Sequence, residues 1–333
     1  MKTNQLLWVL LLAGVAAVRL PAQTVQTLCS FNGNVSNPAL TLGKDGNFYG
    51  TTSSGGSSGC GTIFKVTTNG VLSTLLSFNF TDGAYPSAVL TLGTDGNFYG
   101  TTSGGGSDNF GTMFKVSTNG TLTTLFSFAN TNGANPNVGL TLGNDGNFYG
   151  TTSQGGSSNN GTMFMATTNG GLTTLFSFTN GANPNAALTL GKDGNFYGTT
   201  GLGGSGGWGT IFKVSTNGIL TTLVSFNGTN GRKPNAALTL GSDGNFYGTT
   251  QLGGSNYWGT IFQVTTNGIL TTLFSFNFTD GANPCAALTL GNDGSFYGTT
   301  QGGGSSNAGT VFMARLSHVF LSALPMERIR VPR

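Results

Sequence analysis

Short apolar runs separated by turn dipeptides recur along most of the chain. The first clear example contains four runs, at residues 39–43, 47–52, 61–68 and 71–78. Asp45-Gly46 separates the first two runs and Asn69-Gly70 the last two, and such dipeptides supply the positive φ angles of two-residue hairpin turns. The pattern predicts a unit of four antiparallel strands joined in sequence order, which we name A, B, C and D.

This unit repeats six times. The motif at residues 43–52 returns in steps of 50, 50, 48, 50 and 50 residues, with its aspartate at Asp45, Asp95, Asp145, Asp193, Asp243 and Asp293. A period near fifty is typical of a propeller blade or a solenoid turn. Phe48 and Tyr49 are adjacent in strand B and therefore point to opposite faces, so both faces of each sheet need cover. We predict an all-β fold, a six-bladed β-propeller of four-stranded antiparallel blades.

The two ends of the repeat array favour a closed ring over an open stack. The sixth unit lacks a recognisable strand D, whereas residues 25–32 precede the first unit and match strand D. The segment Thr27-Leu28-Cys29-Ser30-Phe31 corresponds to residues 74–78. We therefore predict that the N-terminal strand closes the ring by completing the sixth blade. A weak strand at residues 316–324 is the competing candidate.

Three segments follow from this organisation. Residues 1–23 carry Lys2 and an apolar run at residues 6–18, which predicts a signal peptide cut near Ala22 or Gln23, with a retained N-terminal anchor as the alternative. Residues 24–314 form the propeller. Residues 315–333 contain the only His and the only Glu of the chain, and we expect a disordered or degenerate tail.

Composition and charge exclude several classes of function. Hydrophobic residues make up 37% of the chain, including 25 Phe, which is enough for a packed core despite 57 Gly and only 7% charged residues. Between Thr24 and Ala314, seven lysines and arginines face nine aspartates, so the net charge of the repeats is −2. Nucleic-acid binding is excluded because no basic surface can neutralise phosphates. The mature chain is predicted to have no membrane span.

The repeats contain few groups that could perform catalysis. They lack His and Glu, and six of their nine aspartates lie in A–B turns, where Asp is a turn former. Asp82, Asp108 and Asp280 lie in the longer loops and leave a carbohydrate-active hydrolase or lyase as the alternative. We predict no catalytic residues, no cofactor and no metal site. Cys60 and Cys285 are predicted to be idle thiols, with a disulfide between them left open.

Variation among the repeats points to a binding site. Residues shared by all copies build the scaffold, whereas residues that differ can form one asymmetric surface. The B–C loops and the connections between units carry the largest changes, which give as candidate ligand-binding residues Phe110, Trp208, Arg232, Lys233, Tyr257 and Trp258. Aromatic faces beside polar groups suit sugar rings or a protein partner. The competing interpretation is that each Trp fills the space between blades.

The repeated motif resembles that of the GloVer tandem-repeat family. The resemblance covers residues 25–314 and rests on Asp-Gly-Asn-Phe-Tyr-Gly-Thr-Thr at residues 45–52, the Gly-Gly loop at residues 55–56 and Gly-Thr-Ile-Phe-Lys-Val at residues 61–66. The pattern recurs six times, with Ser295 the one change in the first motif. It implies an exported, surface or extracellular protein and supplies no catalytic residues. Residues 315–333 depart from the family pattern, so the mode of anchoring stays open.

Together these observations predict a secreted or surface-exposed monomer that acts as a non-catalytic binding or structural module. Its expected partner is a glycan or a surface protein. A pure spacer with no ligand is the other non-catalytic possibility.

Overall fold

The computed structural model describes residues 27–30, 40–180 and 182–315. Within these residues the chain is all-β, with 23 strands arranged in six separate sheets. The predicted signal peptide and the tail beyond residue 315 lie outside the described residues. Half of the predicted N-terminal strand is described, and these residues, 27–30, form no strand and pair with no strand of sheet 6.

The first three sheets each contain four strands. Sheet 1 contains β1 (Leu40–Leu42), β2 (Phe48–Thr52), β3 (Thr62–Val66) and β4 (Leu72–Ser77). Sheet 2 contains β5 (Thr91–Leu92), β6 (Phe98–Thr102), β7 (Thr112–Val116) and β8 (Leu122–Ser127). Sheet 3 contains β9 (Thr141–Leu142), β10 (Phe148–Thr152), β11 (Thr162–Ala166) and β12 (Leu172–Ser177).

The next two sheets repeat this composition and the last is shorter. Sheet 4 contains β13 (Thr189–Leu190), β14 (Phe196–Thr200), β15 (Thr210–Val214) and β16 (Leu220–Ser225). Sheet 5 contains β17 (Thr239–Leu240), β18 (Phe246–Thr250), β19 (Thr260–Val264) and β20 (Leu270–Ser275). Sheet 6 contains β21 (Thr289–Leu290), β22 (Phe296–Thr299) and β23 (Val311–Ala314).

Strand order follows sequence order in every sheet, and all the paired strands are antiparallel. The repeated four-stranded meander predicted from the turn dipeptides is confirmed, and the fold is propeller-like. The A–B and C–D turns lie together on one side of each sheet, which we call the lower side. The B–C loops and the connections between sheets lie on the opposite, upper side.

Neighbouring sheets are joined by a repeated pair of contacts. A strand-B tyrosine packs on the strand-B phenylalanine of the next sheet, with ring centroids 4.0–4.3 Å apart, in the pairs Tyr49–Phe98, Tyr99–Phe148, Tyr149–Phe196, Tyr197–Phe246 and Tyr247–Phe296. A strand-A threonine donates to a backbone carbonyl of the next sheet, as Thr91 Oγ1 does to Leu140 at 2.7 Å. Aromatic burial between sheets therefore dominates the core.

The lower turns contain a hydrogen-bonded cluster of Asp, Asn and Tyr. In sheet 3 the backbone N–H of Asn147 donates to Oδ1 of Asp145 at 3.1 Å, and Asn147 Nδ2 and the Tyr149 hydroxyl donate to Oδ2 at 2.9 and 2.8 Å. All six sheets have the Asp–Tyr bond, at 2.7–2.9 Å. The turn aspartate thus also satisfies the buried end of the tyrosine that packs between sheets.

These contacts shift the ionisation of both partners. Burial raises the pKa of Asp145, but the hydrogen bonds from Tyr149 and Asn147 outweigh it and leave the pKa below its ordinary 3.8. Burial and the hydrogen bond to Asp145 raise the pKa of Tyr149 well above its ordinary 10.0. The cluster therefore favours a charged carboxylate and a neutral phenol.

Candidate functional site

The upper side is built from two kinds of loop that bind each other. In four of the five connections between the described sheets, one residue donates its backbone N–H to the carbonyl of the residue that ends the preceding B–C loop. The pairs are Tyr85 to Cys60, Asn135 to Phe110, Lys233 to Trp208 and Asn283 to Trp258, at 2.8–3.0 Å. The residues that vary most between repeats are therefore neighbours within each sheet.

Trp208 and Arg232 meet on the upper side of sheet 4. The guanidinium carbon of Arg232 lies over the Trp208 ring, 4.9 Å from its centroid, in a cation–π contact. Trp208 is 38% exposed, so it is packed by Arg232 on one face and still open to solvent. The Arg232 Nε is buried and donates to no acceptor among the described residues.

Arg232 and Lys233 occupy positions that other repeats fill differently. The position of Arg232 carries a buried alanine elsewhere, in Ala84, Ala134, Ala182 and Ala282. The position of Lys233 has a positive φ of 48–61° in all five copies that the structure describes. It carries Asn in three of the other four, at Asn135, Asn183 and Asn283. Asn tolerates this left-handed conformation better than a long side chain does. Sheet 4 therefore gains two cations where the scaffold favours small or turn-forming residues.

Backbone hydrogen bonds continue this surface onto sheet 5. Arg232 and Leu252 exchange N–H···O bonds of 2.8 and 3.1 Å, and Gln251 donates its N–H to the Lys233 carbonyl at 3.0 Å. Gly253, the next residue, forms a bridge with Trp258. Trp208, Arg232 and Lys233 are thus linked through one short segment to the tryptophan of the next sheet.

The sheet 5 part of the surface is aromatic. Trp258 is 37% exposed and packs edge-to-face on Phe278, with centroids 5.1 Å apart. Tyr257 has a φ of 66° and is 71% exposed. Neither tryptophan is enclosed between sheets, although each is packed on one side. The sequence did not single out Phe278, although its place in the connection after sheet 5 could have identified it.

Phe110 lies apart from the other five candidate residues. It is half-buried and packs against the core between sheets 2 and 3, whose members include Tyr99, Phe128 and Phe148. We name the surface formed by the remaining five the 4–5 surface: Trp208, Arg232, Lys233, Tyr257 and Trp258.

The aspartates of the upper loops make local hydrogen bonds, and the carboxylate of Asp82 caps a turn. Asp82 Oδ1 accepts the backbone N–H of Asn79 at 2.9 Å, and Asp280 donates its own N–H to Asn277. Asp108 accepts a weak 3.4 Å bond from Ser107. No described contact joins any two of these aspartates.

The other candidate chemistry is sparse in the described part of the chain. Cys29, Cys60 and Cys285 are free thiols. The described residues contain no cluster of three or more His, Cys, Asp or Glu side chains that could hold a metal ion. Within the same ranges, no helix has the length and apolar character needed to cross a membrane.

The six sheets and their repeated junctions define a propeller-like tandem-repeat protein. The Gloeobacter/Verrucomicrobia repeat matches residues 14–191 and 176–324, and the chain belongs to this family. The resemblance predicted from the repeated motif is thereby confirmed. No curated protein matches the chain.

Solved structures share the fold at low sequence identity. A quinoprotein alcohol dehydrogenase-like protein from Bacteroides thetaiotaomicron is 12% identical with a TM-score of 0.56, over 83% of this chain and 62% of that one. A protein provisionally named a 6-phosphogluconolactonase from Bacteroides uniformis is 17% identical with a TM-score of 0.51, over 79% and 77% of the two chains. At such identities the likeness concerns the fold alone.

Proposed function

We propose that this protein is an exported, non-catalytic binding module that holds a glycan on the 4–5 surface. The observation that carries the proposal is that two adjacent sheets present exposed aromatic rings and two cations at positions where the other repeats carry scaffold residues. Trp208 and Arg232 are in direct contact, and backbone hydrogen bonds link their sheet to the next. Tyr257 offers an open ring, and Trp208 and Trp258 are each exposed by more than a third. Exposed aromatic rings beside polar groups suit the apolar faces of sugars.

Amides around these rings favour a sugar over an apolar protein surface. Asn235 Nδ2 donates to Gln251 Oε1 at 3.0 Å, and Asn283 Nδ2 donates to the Gln251 carbonyl at 3.2 Å. These groups retain spare donors and acceptors that hydroxyl groups can use. A catalytic role has weaker support, because no described contact brings any two of the loop aspartates together. Proteins of similar fold have enzymatic names, but this similarity identifies no catalytic residue on the 4–5 surface.

A glycan array tests this function. The full chain should bind at least one polysaccharide, and the double variant Trp208→Ala, Trp258→Ala should lose that binding. Tyr85→Ala is the control. Tyr85 is a 47% exposed aromatic residue on the same upper side, in the connection after sheet 1, and its removal should leave binding intact. A double variant that binds as well as the parent chain overturns the site. Turnover of a glycan that disappears in Asp108→Asn would favour the hydrolase or lyase instead.

We further propose that the six sheets close into a ring and that the N-terminal strand completes sheet 6. The five junctions between consecutive sheets share the Tyr–Phe and Thr–Leu contacts. The residues that would form a sixth such junction lie on sheet 6 and sheet 1 and do not make these contacts with each other. Tyr297 is 37% exposed on sheet 6, whereas the other five strand-B tyrosines are at most 1% exposed. Phe48 on sheet 1 is half-buried, whereas its counterparts are at most 2% exposed. Closure would place Tyr297 on Phe48.

An apolar groove beside sheet 6 supports the same closure. It has a volume of about 720 Å³ and runs from Asp243 at a lower turn to Asp280 in an upper loop. Its walls include Phe274 of β20 and Phe312 and Met313 of β23. In the other sheets strand D fills this position, as Leu122 of β8 does against the core between sheets 1 and 2. Residues 25–32 match strand D in sequence and are the proposed occupant.

Export and a monomeric state complete the proposal. The predicted signal peptide at residues 1–23 and membership of the repeat family support export. Mass spectrometry of the N-terminus after expression in a secreting host should find a mature chain that starts near Ala22 or Gln23. An intact Met1 on exported material would favour the retained anchor.

A further inference from the structure

We infer that the glycan bound by the 4–5 surface is acidic, and that Arg232 and Lys233 hold its carboxylates. This inference rests on the proposed glycan-binding function and adds the substrate class. It starts from the two cations that sheet 4 carries in place of alanine and asparagine. Such departures from an otherwise repeated scaffold mark the positions where a scaffold role does not explain the residue.

Arg232 is held in a fixed orientation and forms no ion pair with a described carboxylate. The cation–π contact with Trp208 fixes the plane of the guanidinium, and the backbone bonds to Leu252 fix the start of the side chain. Among the described residues the one ion pair is Lys65–Asp45 on the lower side, so no carboxylate of this part of the chain neutralises Arg232 or Lys233. A fixed guanidinium without a protein partner matches the planar fork of a carboxylate.

The buried Nε of Arg232 strengthens this assignment. A buried N–H without an acceptor costs free energy, and native proteins rarely leave one unpaired. A ligand carboxylate would be drawn to the guanidinium charge, and a turn of the side chain toward it would give Nε an acceptor. Lys233, on the same loop and half-buried, adds a second positive charge beside it.

The aromatic part of the surface then has a separate role. One face of Trp208 is covered by Arg232, so Trp208 acts as a platform for the cation. Tyr257, at 71% exposure, is the open ring that can stack on a sugar. The surface thus combines a stacking position on sheet 5 with a carboxylate position on sheet 4, which fits a polymer of uronic acids.

Polygalacturonate and its fully methyl-esterified form are the matched probes, because they share a backbone and differ in the carboxylate charge. The full chain should bind the acid form about tenfold or more tightly than the ester, in line with the strength of charge-assisted hydrogen bonds. The difference should shrink as salt is added.

Variants that copy other repeats test the residues without creating unfamiliar packing. Arg232→Ala and Lys233→Asn each install the residue found at the same position elsewhere in this chain, and together they should abolish the preference for the acid form. Lys213→Met is the charge control on the lower side, because Met165 occupies the corresponding position in sheet 3. It should leave the preference unchanged.

The remaining outcomes separate this inference from the proposed function. Equal binding of the two polymers by the parent chain, or neutral glycans bound in preference to both, overturns acid recognition and leaves the glycan-binding surface in place. Equal loss of both polymers in the double variant also overturns it, because the variant then damages the surface as a whole. A chain that binds nothing on the array overturns the proposed function itself.

Discussion

The backbone carbonyl of Leu28 lies against Gly70 at the lower C–D turn of sheet 1. A Cβ added to Gly70 would come within 2.5 Å of that oxygen. The same relationship joins consecutive sheets elsewhere, since a Cβ on Gly120 would lie 2.8 Å from the carbonyl oxygen of Leu75 in strand D of the preceding sheet. Leu28 therefore occupies, next to sheet 1, the place of a strand D from a preceding sheet. In a closed ring that preceding sheet is sheet 6.

This contact predicts a position-dependent cost of Gly→Ala substitution. Gly46 and Gly70 both have positive φ angles, of 78° and 87°, but a Cβ on Gly46 would meet nothing within 4 Å. Each Ala should cost about 1–2 kcal/mol in unfolding free energy for the left-handed backbone. Gly70→Ala should cost more, because it also displaces Leu28. Gly120→Ala is the reference, because Gly120 faces Leu75 in strand D of the preceding sheet. Denaturant unfolding measures the three values. Equal costs for Gly46→Ala and Gly70→Ala would contradict docking of the N-terminal segment.

Ring closure predicts one disulfide after a single substitution. In sheet 1, Ile63 of strand C faces Leu76 of strand D. The corresponding residues for a completed sheet 6 are Val311, which is 81% exposed, and Cys29, a free thiol. Val311→Cys should therefore form an intramolecular disulfide with Cys29 under mild oxidation, because facing Cβ atoms in a strand pair fall within about 4.5–5.5 Å.

Mass spectrometry of unreduced peptides identifies that disulfide. Met313→Cys is the control, since Gln26 is its expected neighbour and offers no thiol. A cross-link between two chains would indicate strand exchange between copies. If no disulfide to Cys29 forms, either within or between chains, residues 316–324 would be favoured as the strand that fills the groove.

The Asp–Tyr bond predicts a stability difference between internal and terminal sheets. Tyr149→Phe keeps the ring that packs on Phe196 but removes the donor to Asp145. The loss should be about 1.5–3 kcal/mol, as for other hydrogen bonds to charged groups. Tyr297→Phe makes the same chemical change at a residue that is 37% exposed, where water can replace the donor, and should cost less. Thermal and urea unfolding compare them. The reverse order of costs would show that sheet 6 is the better packed.

The same clusters predict loss of stability at both extremes of pH. The pKa of the turn aspartates is lower in the folded state than the ordinary 3.8, so their contribution is present above that pH and is lost as pH falls through the folded pKa. The pKa of the buried tyrosines is raised above 10.0, so their contribution is present below pH 10 and is lost as pH rises through the folded pKa.

Measuring the melting temperature as a function of pH tests both the acid and the alkaline loss of stability. Asp145→Asn should make the fall in melting temperature at acid pH smaller. Asp108→Asn, on an upper loop away from these clusters, should leave that fall unchanged. A melting temperature that stays constant below pH 4 would contradict the role of the turn aspartates.

The amino-acid sequence determined the local structure of this protein. Asp-Gly and Asn-Gly at fixed spacing specify tight hairpins, and the adjacent Phe and Tyr of strand B require cover on both faces, so the repeated all-β meander followed from turn geometry and pattern. The aspartates of the A–B turns were correctly interpreted as turn formers. Strand A was predicted too long, since β5 has only two residues. Only two residues of that segment pair with strand B of the same sheet.

The tertiary structure alone decided which side chains meet across loops and sheets. The bond from Tyr149 to Asp145 depends on how the lower turn folds back over strand B, and the sequence gives no distance between them. Trp208 and Arg232 lie 24 positions apart and meet because the connection returns to the loop of its own sheet. Phe110 has the same place in its repeat as Trp208 yet packs into the core. Repetition fixes equivalent positions, but the shape and size of each variable side chain decide whether it fills a junction or faces solvent.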